Sequence, residues 1–253
     1  AASRVGEHGD FPSAKAALGA KAVQEAERQM NLAELAKSQS RFAEAVKLYG
    51  RAGAALMQAY LSAQPSKPNE FRAVWCHDAA GVPGHSWQEV TNTLASSGFN
   101  ALFPNMLWGG LAYYPSRLLP VDESVEKDGD QIKLCLEAAK KSGVQVHVWK
   151  VNWNLVNAPK SFIEQMRKEG RTQKDQNLKP TDWLCPSHLA NYQLEKDSML
   201  EVVKNYAVDG IHFDYIRYPG YEGCYCEGCR ANFEKLVGAK VSNWPADVVG
   251  GPL

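Results

Sequence analysis

The sequence predicts an α/β fold built on a parallel sheet and preceded by an α-helical hairpin. Three observations carry that expectation. Residues 13–62 are dominated by Ala, Glu, Gln, Lys and Leu and contain no proline. Beyond residue 69, short apolar runs alternate with amphipathic segments. Twice a glycine stands between such a segment and the next apolar run, in Ser97-Gly98-Phe99-Asn100 and in Ser142-Gly143-Val144-Gln145. A glycine there closes a helix in the left-handed conformation and leads straight into a strand. Joints that short imply parallel strands.

The hairpin comes first. Ala17, Val23, Leu32, Leu35 and Ala36 recur at helical spacing, and Ser38-Gln39-Ser40 breaks the run. Phe42, Ala45, Val46, Tyr49, Leu56, Met57 and Tyr60 then mark a second amphipathic helix. The stretch RFAEAVKLYGRAG resembles one tetratricopeptide-type unit, which cannot bury its own apolar face. The hairpin is expected to pack on the following domain; partner binding or self-association is the alternative. Gln64-Pro65-Ser66-Lys67-Pro68-Asn69 reads as a linker, because each proline stops a helix. The expected domains are therefore 1–68 and 69–253. In the second, strands are expected at Arg72–His77, Asn100–Asn105, Val144–Val151 and Val208–Asp214. Helices are expected at Ser86–Ser97, Asp130–Ser142, Ser161–Glu169 and Leu189–Tyr206.

Composition narrows the function. With 28 Lys+Arg against 28 Asp+Glu and no basic run, the chain lacks the charge that nucleic-acid binding needs. No apolar segment is long enough to span a membrane. An apolar content of 45% with 22% charged residues excludes a disordered chain. The start Ala1-Ala2-Ser3, without a methionine, suggests a removed targeting peptide or a trimmed terminus. Trp108-Gly109-Gly110 lacks the spacing and lysine of a phosphate-binding loop, and no Ser or Cys lies in a nucleophile elbow. No cofactor is therefore expected.

Parallel βα folds place their chemistry at the carboxyl ends of the strands. His77 and Asp78 follow the first apolar run, and Asn105 and Trp108, then Tyr113-Tyr114, the second. Asn152, Trp153 and Asn154 follow the third, and Asp214, Tyr215, Arg217 and Tyr218 the fourth. Every strand thus ends in amides, aromatics or charge. In the fourth, alternation puts Ile211 and Phe213 on one face and His212 and Asp214 on the other with Gly210. A carboxylate at that rim is placed for proton transfer, although Arg217 is near enough in sequence to pair with it. His147, between two valines, reads either as a hydrogen-bonded core group or as a substrate contact. Asp209 falls at the start of its strand and is expected to be structural. Seven Trp and ten Tyr suit carbohydrate, whose apolar faces stack on flat rings while amides read the hydroxyls.

Six cysteines in 253 residues are too few for a disulfide scaffold, yet Cys224, Cys226 and Cys229 crowd together. With Cys185 they would make a tetrahedral zinc set. A disulfide within the loop and simple reduced thiols are the alternatives.

The segments FRAVWCHDAAGVPG, FNALFPNMLWGGLAYYPS, VQVHVWKVNWN and above all VDGIHFDYIRYPG resemble the glycosyl-hydrolase-like 10 family. The likeness covers residues 70 to about 240 and is most specific over Asp209–Pro219. It implies a (β/α) barrel of the TIM type, a secreted or envelope-associated bacterial protein and a rim carboxylate at Asp214. Family members often double the aspartate where this chain has Asp214-Tyr215, so only Asp214 carries over. Glycosidases usually need two carboxylates; Asp78 is the candidate partner here, with Glu222 and Glu227 in the following loop, but the true second carboxylate is expected to belong to a late strand and to be absent from this chain. The expected catalytic residues are Asp214 and Asp78. The expected sugar contacts are His77, Asn105, Trp108, His147, Asn152, Trp153, His212, Arg217 and Tyr218. A closed barrel has eight strands, so four βα units would be its first half. Its open edges, or the N-terminal helices, would then invite self-association. The expected activity is a glycoside hydrolase acting on a polysaccharide or cell-envelope glycan; the alternative is a non-catalytic carbohydrate-binding or scaffolding fragment.

Overall fold

Helix ends and strand faces follow from local sequence in a computed structural model that describes residues 11–64, 69–220 and 223–249. Of residues 11–16 only the backbone is described, and Glu222 lies outside the described residues. Contacts divide the chain into two compact units, Ala1–Glu70 and Phe71–Leu253. Among the described residues, no helix is long and apolar enough to cross a membrane.

The first unit is the hairpin of α1 (Phe11–Ser38) and α2 (Phe42–Ala63). Between them Ser40 takes a positive φ of 60°, and the Arg41 N–H reaches back to the Ala36 carbonyl at 2.9 Å. That turn reverses the chain and lets Ala33, Ala36, Ala45 and Leu48 bury one another along the seam.

The second unit holds four parallel strands in the order β1 (Ala73–Cys76), β2 (Ala101–Trp108), β4 (Gln145–Val151) and β7 (Gly210–Asp214). A short β3 (Leu111–Ala112) folds back antiparallel on the end of β2. Helices α3 (Trp87–Ser96), α5 (Gln131–Ser142) and α7 (Leu189–Asn205) separate the parallel strands. Their ends are written locally. Ser86 and Glu89 form a reciprocal capping box on α3, and Asp130 accepts from the Lys133 N–H to start α5. Gly98 and Gly143 have φ of 85° and 69°, the left-handed helix stops expected of them.

Leu102, Met106, Val146 and Val148 from the strands meet Ile132, Cys135, Met199 and Val202 from the helices in one core. Each fully buried aliphatic side chain there stabilises the fold by about 1.5–3 kcal/mol. A second core at the carboxyl ends of the strands gathers Trp153, Leu155, Met166 and Leu184.

The sequence reading needs four additions. Strand β2 runs on to Trp108 instead of stopping at Asn105. A short α4 (Ser124–Asp128) precedes α5. Between α6 (Lys160–Lys168) and α7 lies an antiparallel hairpin of β5 (Thr172–Lys174) and β6 (Pro180–Leu184). After β7 comes α8 (Glu227–Val237), so Glu227 opens a helix and is not a loop residue.

Candidate functional site

Alternation along the strands gives the sheet a second face, turned away from α3, α5 and α7. In register, Trp75 of β1 lies beside Phe103 of β2, Asn105 of β2 beside Trp149 of β4, and Trp149 beside His212 of β7. Their rings touch. His77 meets Trp149 edge to face at 4.8 Å between centroids, and Phe103 lies 5.0 Å from both His147 and His212. Trp75 Nε1 donates to His212 Nε2 at 3.4 Å, which places the imidazole proton on Nδ1 in the neutral ring. Trp75 and Phe71 on this face are 59% and 54% exposed.

Asp214 closes β7 at the carboxyl end. Its Oδ2 accepts from Trp149 Nε1 at 3.1 Å and its Oδ1 from the Tyr215 N–H at 2.7 Å, so the carboxylate is held in a fixed orientation. Tyr215 has a positive φ of 58°, which turns the chain sharply away from the strand. The Tyr215 ring stacks on Trp183 of β6 at 5.6 Å. One tryptophan thus links three of the expected residues: His77, His212 and Asp214 all touch Trp149.

The other expected residues divide. Asn105 belongs to this row; it is buried, and its Oδ1 has no hydrogen-bond partner among the described residues. Trp108 is the last residue of β2 and pairs with Leu111 in the fold-back. His147 pairs in register with Gly210, at the amino end of β7, and not with the carboxyl rim. Its Nε2 lies 3.1 Å from Gln145 Oε1, and burial lowers its pKa. A Cβ on Gly210 would come within 2.1 Å of His147 Nδ1, so the glycine makes room for the ring. The Asp209 carboxylate accepts from the Val146 N–H at 2.8 Å, the structural role expected of it.

Several placements correct the sequence reading. Asn152 is buried and donates from Nδ2 to Glu195 of α7. Trp153 is only 8% exposed and packs in the second core, so it offers no stacking surface. Tyr114 is fully buried, with its hydroxyl donating to Glu201 at 2.9 Å. Arg217 does not pair with Asp214; its guanidinium lies 4.4 Å from the centre of the Tyr215 ring. Asp78, unlike these, keeps its expected place after the first strand, where it also accepts from the Ala80 N–H at 2.9 Å. Tyr218 lines a separate cleft of about 350 Å³ with Tyr225, Phe233 and Trp244, and burial pushes its hydroxyl up to about 12.

Two features escaped the sequence reading. Trp75 and Phe103 are sugar-sized surfaces whose signal was strand parity, since they share a face with His77 and Asn105. Lys150 is the other: it is fully buried on the helix side, donating to Ser198 Oγ at 2.7 Å and pairing with Glu195 at 3.3 Å. Burial raises the Glu195 pKa and lowers that of Lys150, and each partner opposes the other's shift.

The four expected zinc ligands come together. Cys185 follows β6, Cys224 and Cys226 precede α8, and Cys229 lies in its first turn. All four sulfurs lie within 4.8 Å of one another, and every one of them is a free thiol.

The profile of the Glycosyl hydrolase-like 10 family matches residues 70–247. No curated protein matches the chain. Among solved structures it is similar to an α-L-fucosynthase of Thermotoga maritima at 13% identity, over 63% of this chain and 32% of that one, with a TM-score of 0.37. It is similar to a β-galactosidase of Marinomonas ef1 at 12% identity, over 67% and 25%, with a TM-score of 0.46. An exo-β-N-acetylglucosaminidase of Vibrio harveyi is similar at 9% identity, over 77% and 37%, with a TM-score of 0.45. The chain therefore spans less than two fifths of each of these structures. Because the family profile runs across the whole parallel sheet and on through α8, the chain belongs to the glycosyl hydrolase-like 10 family.

Proposed function

We propose that the open face of the sheet binds a cell-envelope or extracellular glycan and that Asp214 is the reacting carboxylate, as acid or nucleophile. The observation that carries this reading is the seating of Asp214. Its two oxygens are fixed by Trp149 Nε1 and the Tyr215 N–H, on the sheet face that also carries the exposed Trp75 ring, which fits the apolar face of a sugar. His77 and His212 flank the same tryptophan. Hydrolysis calls for a second carboxylate, either about 5–5.5 Å away with retention or about 6.5–9.5 Å away with inversion. Asp78 is proposed for that place.

A second reading, binding without hydrolysis, draws on the engagement of Asp78 in its own turn. One experiment separates the two. Sugar release and glycan retention are measured together on envelope polysaccharides, for the unaltered chain and for Asp214→Asn. Catalysis predicts a fall in release of about 10²–10⁴-fold with retention kept. Retention with no release from either protein leaves binding alone.

A further inference from the structure

Two separate stretches of chain deliver four sulfurs to one point. Cys185 Sγ is 3.5 Å from the sulfurs of Cys226 and Cys229 and 3.7 Å from that of Cys224. A disulfide would need about 2.05 Å. Four thiolates around a tetrahedral zinc, each about 2.3 Å from the ion, lie about 3.8 Å from one another. The three distances from Cys185 are close to the second spacing, and all four sulfurs stay within 4.8 Å of one another.

The surroundings are arranged for negative charge on sulfur. Cys226 caps α8 and Cys229 sits in its first turn, so the positive end of an eleven-residue helix faces the sulfurs. The backbone beneath them is pinned independently. Asn191 Nδ2 donates to the Cys185 carbonyl at 2.8 Å and to the Arg171 carbonyl at 2.7 Å, and the Tyr225 N–H donates to the Lys174 carbonyl at 2.9 Å. Such outer contacts fix ligands in place before a metal arrives.

We propose that Cys185, Cys224, Cys226 and Cys229 bind one Zn²⁺ as a closed, structural tetrathiolate site. Soft sulfur donors select zinc over magnesium or calcium. With all four positions taken by protein, no water is activated there, so the ion holds structure and does no chemistry. Binding releases the four thiol protons to solvent and involves no change of oxidation state. The ion ties the segment leaving Asp214 and the start of α8 to the end of the β5–β6 hairpin. It thereby fixes the same rim where Trp183 stacks on Tyr215.

The test is elemental analysis of the full chain purified without chelator, followed by exchange of the metal for Co²⁺. The expected result is one zinc per chain and a cobalt spectrum with thiolate charge-transfer and tetrahedral ligand-field bands. Cys229→Ala loses the metal, and Cys229→His, which still offers a ligand, retains it. Should either variant fail to fold, the cobalt spectrum of the unaltered chain decides alone. A chain free of metal that gives no tetrahedral cobalt spectrum overturns the proposal. So does a mass showing disulfides among these cysteines, or iron in place of zinc.

Discussion

Neighbouring residues of one strand meet opposite fates. Along β4, Val146, Val148 and Lys150 turn to the helices, while His147 and Trp149 turn to the other face. On the helix side even a charge is closed off: the Lys150 ammonium has Ser198 and Glu195, and Glu195 also accepts from Asn152 and the Trp153 N–H. On the far side Trp75 and Phe71 are more than half exposed. The first face holds the fold together. The second has side chains with contacts still to make, and those are the groups a ligand can use.

The sharpest way to break that comparison is at Lys150. Lys150→Met leaves Glu195 as an unpaired buried carboxylate, and the expected loss is about 3–5 kcal/mol in urea unfolding. Adding Glu195→Gln, which removes the charge but keeps an acceptor, should restore a large part of it. A single-variant loss under about 1 kcal/mol would show that the helix side is less closed than its contacts indicate. Gly210→Ala comes next, at about 1–3 kcal/mol, because the added methyl meets the His147 ring. The cost is steric, so it should shrink in a chain that also carries His147→Ala. The smallest stability effect belongs to Trp75→Ala on the open face, within about 1 kcal/mol. Its effect should appear in glycan retention, which falls. A large loss of stability there would make Trp75 a core residue.

Periodicity made most of the second unit legible. Gly98 and Gly143 end helices where their flanking sequence says they should, and the period-two runs around Phe103, His147 and His212 became strands. The β5–β6 hairpin did not show, because Thr172-Gln173-Lys174 has no apolar alternation and is held by polar contacts: pairing with β6, the Gln173 Nε2 bond to the Leu184 carbonyl and the Tyr225 N–H bond to the Lys174 carbonyl. Helix α8 opens on Glu227-Gly228-Cys229, where a glycine and ligand-type cysteine spacing mask the amphipathic run that follows. At the site, Asp214 and His212 could be placed by parity. Trp153 and Tyr114 could not, since whether an aromatic after a strand lies on the rim or in a core depends on partners distant in sequence. Trp75 was passed over for the opposite reason: it lies within its strand, not after it.

Lys150 has one more consequence. Because side chains alternate, sliding β4 by a single residue would drive an ammonium among the rings of Trp75, Phe103 and His212 and press Trp149 against α7. Neutral replacements of similar size would remove that penalty even where they left overall stability untouched. A slipped register would therefore break the buried pair, a cost that hydrophobic packing alone does not impose.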